Sequence, residues 1–261
     1  MRLGIDASNI SSGGGIIHLQ KILENAEPDK HCINRLIVWG GETPLNILPE
    51  KPWLELRKIS NINQQTLKRL FWQQTKLGKL AQESCDILFV PGGLYLGGFR
   101  PYVTMFQNMQ IFETKERVRE GFSKERIRLS ILKWVQSPTF REASGLICLS
   151  DYSLKYLTQF HHSVIAQTPL HLIPHGTGAF QNENTTTFIE KTSNKDTLKL
   201  LYVSTVKKYK HHCNLIDAVG LLRKEGISVE LHLIGGGDSK ALSLMQDAIY
   251  RNRSEKDFIF F

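Results

Sequence analysis

No stretch of this 261-residue chain approaches the roughly 18 consecutive apolar residues of a membrane-spanning helix, so the sequence offers no candidate span. The opening residues, Met1 to Ile10, carry one basic residue and a short apolar stretch that soon turns polar, unlike a secretory signal, and the protein is expected in the cytoplasm. Cysteine is scarce. Cys32, Cys85, Cys148 and Cys213 are widely spaced with no C-x-x-C pair, which argues against a disulfide framework and a zinc site. Cys85 and Cys148 stand beside strand-like runs, where a thiol is ordinarily a small core residue. At 41% hydrophobic and 22% charged residues, the chain is too apolar to be disordered. What it has in excess is positive charge. A net +8 suits a nucleic acid, an anionic membrane or a phosphate-bearing ligand, and charge alone does not choose. A nucleic-acid-binding α/β protein lacks a recognisable motif here, so no nucleic-acid partner is expected.

Strand-length apolar runs alternate with segments of helical period. The clearest strands are Leu3 to Ile5, Leu36 to Trp39, Ile87 to Val90, Val103 to Phe106 and Leu146 to Leu149. Ile16 to Leu23, Leu67 to Ala81 and Ile127 to Phe140 read as helices. Such alternation predicts an α/β fold, a parallel sheet covered by helices, with ligands beyond the carboxyl ends of the strands. A polar stretch from Gln181 to Asp196 reads as a linker. The domains are therefore expected at 1–180 and 197–261, joined by 181–196. The second begins a further series: strand Leu198 to Val203, helix Cys213 to Lys224, strand Val229 to Ile234, helix Ser239 to Arg251, strand Phe258 to Phe261. That last run is apolar throughout, of the buried parallel type, with nothing after it to cover its faces. The expectation is a second domain cut short.

Four constellations could carry chemistry. In the first, Ser11-Ser12-Gly13-Gly14-Gly15 lies between a strand and a helix. Glycines there admit a close ligand, and the helix start offers free N–H groups to a phosphate. The glycines are contiguous, unlike a dinucleotide fingerprint, and a flexible turn is the bland alternative. In the second, a strand ends in Gln107 and Asn108, two amides suited to sugar hydroxyls, although Asn108 could simply cap the next turn. In the third, Ser204-Thr205-Val206-Lys207-Lys208-Tyr209-Lys210 sets three lysines between a strand end and a helix, as a diphosphate clamp would, or as a solvated charge cluster. His211, His212 and Cys213 follow, but adjacent helical residues point apart, so no shared metal ion is expected. In the fourth, Gly235-Gly236-Gly237-Asp238 again joins a strand to a helix.

Taken in order, these segments resemble the GT-B glycosyltransferases of family 4. The resemblance runs along nearly the whole chain: Ser12-Gly13-Gly14-Gly15, Phe106-Gln107-Asn108-Met109, Leu149-Ser150-Asp151-Tyr152-Ser153, Ile173-Pro174-His175-Gly176, Tyr202-Val203-Ser204 with Lys210, and Leu233-Ile234-Gly235-Gly236-Gly237. It implies two Rossmann-like domains and a retaining transfer from a nucleotide sugar, GDP- or UDP-linked, with no cofactor and no required metal. It implies Gly14, Gly15 and Lys210 near the donor phosphates, with Ser204 and Thr205 beside them. Gly235 and Gly236 would line the nucleotide pocket, and Gln107 and Asn108 would meet sugar or acceptor. Two positions depart from the family. Thr205 stands where many members have an arginine, and Gln107 where many have a histidine. The family's pair of glutamates would fall beyond position 261, which implies no turnover from these residues alone.

Between Glu113 and Arg141 lie eight lysines and arginines against four glutamates, with Ile127, Ile131, Leu132, Trp134 and Val135 interspersed. Such a segment can lie on an anionic bilayer, which would suit a lipid-linked acceptor at the inner membrane face. It can equally be a solvated helix whose apolar stripe packs on the sheet. The leading expectation is a hexosyltransferase, of mannose for example, acting on a glycan or lipid-linked glycan in bacterial surface-polysaccharide synthesis. The alternative is a non-catalytic relative that binds nucleotide, glycan or membrane.

Overall fold

A computed structural model describes residues 1–10, 13–59, 66–165, 167–176, 197–252 and 259–261. The chain divides into two compact units, Met1–Thr177 and Gly178–Phe261. The linker expected at 181–196, together with Ser11, Ser12 and Phe258, lies outside the described residues.

In chain order the first unit contains β1 (Arg2–Ala7), α1 (Gly14–Glu24), β2 (Arg35–Gly40), α2 (Glu42–Leu45) and β3 (Leu54–Lys58). Next come α3 (Thr66–Trp72), a π-helical segment at Gln73–Leu77, α4 (Gly78–Ser84), β4 (Ile87–Val90) and β5 (Tyr102–Phe106). It closes with α5 (Thr114–Arg119), α6 (Lys124–Arg141), β6 (Gly145–Cys148), α7 (Asp151–Phe160), α8 (His162–Ile165) and β7 (Leu170–Leu172). The strands form one parallel sheet in the order β3-β2-β1-β4-β5-β6-β7. The strand order reverses direction between β1 and β4, which makes that crevice the topological switch point.

Period-two alternation builds a core on each face of the sheet. Leu36 and Val38 of β2 face α1 through Leu19 and Leu23, while Ile37 and Trp39 face Leu77 and Ala81 on the opposite side. A third cluster under β5 and β6 packs Phe106, Phe112 and Phe140 around one another, with ring centroids 5.3 to 5.6 Å apart. Cys148 is buried in that cluster and Cys85 in the first, and all four cysteines are free.

Two strands were not among those expected. β3 and β7 are the sheet's two edges, and their sequences, LELRK and LHL, show why. An edge strand is half solvated, so it lacks the continuous apolar run that marks a buried parallel strand. The helix expected from Leu67 to Ala81 is three pieces, with the π-helical turn between α3 and α4.

The second unit contains β8 (Leu198–Val203), α9 (His212–Lys224), β9 (Val229–Ile234), α10 (Ser239–Arg251) and β10 (Ile259–Phe260). Its sheet is parallel in the order β10-β9-β8. Ile216 and Val219 of α9, together with Met245 and Ala248 of α10, bury β9 through Val229, Leu231 and Leu233.

Candidate functional site

The expected residues of the second unit converge. Ser204 and Thr205 leave β8, Gly235 and Gly236 leave β9, and the two loops are laced together past the sheet. The Ser204 N–H donates to the Ile234 carbonyl at 2.9 Å, and the Val206 N–H donates to the Gly236 carbonyl at 2.8 Å. A parallel bridge between Val206 and Gly237 extends the pairing. This closeness demands glycine at position 235. Its φ is 145°, and a Cβ there would lie 2.0 Å from the Ser204 carbonyl oxygen. Gly236 has open space where its side chain would be, so its backbone is approachable from solvent.

Lys210 closes a 3₁₀ turn, Lys208–Lys210, directly before α9. Its backbone is pinned at both ends: its N–H donates to the Lys207 carbonyl at 2.9 Å, and its carbonyl accepts from the Tyr202 hydroxyl at 2.8 Å. Its ammonium lies 5.3 Å from the centre of the Tyr209 ring. Tyr202 also meets the buried His212 edge to face at 5.0 Å. The His212 imidazole is held below its ordinary pKa, chiefly by burial, and Lys210 adds repulsion while the Ser204 backbone pulls the other way.

The two helix starts differ. α10 is capped by Asp238, whose carboxylate accepts from the Ala241 N–H at 2.9 Å. α9 has no side-chain cap; the residue before it, His211, is left-handed at φ 58°. An uncapped helix start beside lysines favours an anion, whereas a carboxylate already at the helix start repels one. The glycine loop after β9 therefore contributes close backbone approach, and α9, which follows the neighbouring strand β8, contributes the positive helix end.

In the first unit Gly14 and Gly15 are the first residues of α1 and do not precede it as expected. Gly13 takes the cap position at φ 69°, and its carbonyl accepts from the Ile16 N–H at 3.2 Å. The carbonyl of Gly13 thus opens the helix earlier than the apolar period indicates. His18 of α1 meets His175 of the Ile173-Pro174-His175-Gly176 run edge to face, with centroids 4.2 Å apart, and burial, then His175, lowers the His18 pKa. Gln107 and Asn108 follow β5, which is separated from β1 by β4. At the usual strand spacing that is about 10 Å along the same carboxyl edge. Asn108 is engaged locally: its side-chain oxygen accepts from the Gln110 N–H at 3.1 Å, capping the turn Met109–Ile111.

A buried polar cluster at the β1/β4 switch point is not foreshadowed by any motif in the chain. Asp6, fully buried at the end of β1, accepts from the Ser8 N–H at 3.0 Å and from the Gln73 side-chain amide at 2.6 Å. Gln73 sits in the π-helical segment and also reaches the Leu94 carbonyl at 3.3 Å. Gln136 of α6 donates to the Gly93 carbonyl at 2.6 Å, and the Asn9 carboxamide fills the space a side chain at Gly92 would need. Single polar residues inside apolar segments look like surface residues in a sequence, and Asp6 and Gln73 are 67 positions apart.

Burial raises the Asp6 pKa above its ordinary 3.8, against the opposing pull of its hydrogen bonds to Ser8 and Gln73 and of nearby Arg69. The folded chain thus holds this proton more tightly than the unfolded chain. Asp6 contributes stability that is fully present below its ordinary pKa and is lost as pH rises through its raised folded value. Asp6→Asn is neutral throughout, and turning the Gln73 amide gives the new N–H₂ an acceptor in the otherwise unpartnered Gln73 Oε1, giving up only the longer bond to the Leu94 carbonyl. Urea melts at pH 8 are expected to show the variant more stable than wild type by about 1 kcal/mol, the scale of one hydrogen bond, with the gain shrinking towards pH 4. A gain that does not vary with pH contradicts this account.

Among the described residues no three His, Cys, Asp or Glu side chains converge as metal ligands would, and no described helix is long and apolar enough to cross a membrane. No sequence family and no curated protein matches the chain. Its fold does match solved structures. Anabaena HepE in complex with UDP aligns over 100% of this chain and 68% of its own length, at 16% identity and TM-score 0.54. A glycosyltransferase from Rickettsia africae aligns over 99% of this chain and 67% of its own, at 15% and 0.53. The lipopolysaccharide outer core galactosyltransferase WaaB in its apo form aligns over 95% and 65%, at 14% and 0.51. At such identities the likeness is one of fold: the chain has the α/β, parallel-sheet architecture of the Rossmann-like GT-B glycosyltransferases.

Proposed function

We propose that this chain is a nucleotide-sugar-dependent glycosyltransferase whose donor diphosphate binds at the start of α9. The observation that carries this reading is the pair of laced loops in the second unit, with Lys207, Lys208 and Lys210 beside an uncapped helix start. A diphosphate needs positive charge and N–H donors on a backbone that does not have to reorganise. Lys210 meets the phosphate charge, Ser204 and Thr205 offer hydroxyls, and Gly235 and Gly236 let the nucleotide approach the β9 loop. In the first unit, taken by itself, Gly14 and Gly15 open α1 and offer its N–H groups to a phosphate, and Gln107 and Asn108 offer amides to a sugar or acceptor. HepE was solved with UDP, which supports a uridine nucleotide ahead of a guanosine one. The wider reading is a retaining hexosyltransferase, with mannose among the candidate sugars. It acts on a glycan or lipid-linked glycan of a bacterial surface polysaccharide, in the cytoplasm at the inner membrane face, without a metal or other cofactor.

Thermal unfolding of the chain with UDP, GDP, UDP-sugars and GDP-sugars tests this. A ligand held at about 100 times its Kd adds about 2.7 kcal/mol to the folded state, enough to move the melting point by several degrees. One nucleotide family should shift it and the other should not. No shift with any of them would remove the donor site, and nucleotide binding without transfer by a chain carrying every donor-site residue would favour the non-catalytic alternative.

A further inference from the structure

We propose that the outer face of α6 docks onto the surface of an anionic phospholipid bilayer. This does not rest on the transferase reading, because it concerns a face of the first unit that no expected donor residue occupies. α6 carries apolar residues on two opposite faces. Leu129, Gln136 and Phe140 are buried against the sheet, and at about 100° per residue they share one side of the helix. Ile127, Ile131 and Trp134 fall about 180° away, within about 60° of one another, and are 63%, 56% and 79% exposed. The core accounts for the first face and not for the second. Phe122, just before the helix, is fully exposed, and it borders with Lys124, Arg126, Ile127 and Ile131 an open groove of about 640 Å³.

Charge selects the occupant. Lys124 and Arg128, the latter paired with Glu125, flank the exposed stripe on one side and Arg126 borders it on the other, by the same angular spacing. The Arg126 guanidinium lies 5.6 Å from the centre of the Phe122 ring. From Glu113 to Arg141 there are eight lysines and arginines against four glutamates. A narrow apolar line containing Trp, bordered on both sides by long cationic side chains, matches an interface in which ring and aliphatic groups enter the acyl boundary while cations reach the phosphates. A protein partner would need a complementary acidic groove, and a nucleic acid would leave Ile127 and Ile131 facing phosphate.

Flotation of the whole chain with vesicles tests the proposal. Binding to phosphatidylcholine vesicles containing phosphatidylglycerol is expected to exceed binding to phosphatidylcholine alone at least tenfold, and to weaken as salt rises. The double variant Ile131→Ser, Trp134→Ser should lose at least tenfold of that binding while its circular dichroism and melting point stay unchanged. Lys124→Gln with Arg126→Gln should abolish the preference for phosphatidylglycerol. The proposal is overturned if wild type ignores both vesicles, or if the double variant binds as well as wild type. It is overturned equally if the stripe variants alter self-association in solution and leave vesicle binding untouched.

Discussion

Gly235→Ala is expected to destabilise the second unit by about 2–4 kcal/mol and to remove nucleotide binding with it. The Cβ it adds would sit 2.0 Å from the Ser204 carbonyl oxygen, and the backbone at φ 145° is one that L side chains rarely adopt. Strain of this kind costs about 1–3 kcal/mol, and forced overpacking a similar amount. Backbone cannot move aside as a flexible side chain can. The loop must instead separate from β8, breaking the Ser204 to Ile234 and Val206 to Gly236 hydrogen bonds that hold the two loops together. Gly236→Ala is the control, since nothing lies within 4 Å of its added carbon. Chemical denaturation followed by calorimetric titration with UDP separates the two effects. If Gly235→Ala and Gly236→Ala lower stability alike, the close approach at position 235 is not what shapes the loop.

Lys210→Met is expected to weaken nucleotide diphosphate binding about 10- to 100-fold, the worth of a hydrogen bond to a charged group, with little change in stability. The hydrogen bonds of residue 210 are made by its backbone, through Lys207 and the Tyr202 hydroxyl, and its ammonium adds a contact with the exposed Tyr209 ring alone, so the turn survives the loss of the ammonium. The loss should grow at low salt, where the ion pair is least screened, and should be smaller for a nucleoside without phosphates. Titration of UDP and uridine against both proteins measures it. Equal losses for the two ligands would mean that the lysine does not meet phosphate.

What the sequence disclosed depended on how local each signal was. The central strands β1, β2, β4, β5 and β6 are short apolar runs, because each is covered on both faces, and they stand out in one dimension. β3 and β7 escaped notice because edge positions need apolar side chains on only part of their surface. In the second unit Ser204, Thr205, Gly235 and Gly236 follow directly on their strands, and Lys210 ends the short basic loop that β8 opens, so strand-end logic is enough to gather them. Asp6, Gln73 and Gln136 share a cluster that only the folded sheet assembles, and no spacing in the chain marks it. The α6 segment shows a further limit. Periodicity reveals that apolar residues recur on a helix, but with two apolar faces it does not say which one the core takes.

The π-helical segment at Gln73–Leu77 amounts to one residue inserted into an otherwise continuous helical stretch. Deleting one residue from that segment would let α3 and α4 wind as a single α-helix, keeping the buried Ala81 facing the sheet. The same deletion would draw the Gln73 carboxamide away from Asp6 and the Leu94 carbonyl, leaving a fully buried carboxyl to the Ser8 N–H alone. Relatives of this chain that lack the inserted residue should therefore carry an uncharged side chain at the position of Asp6.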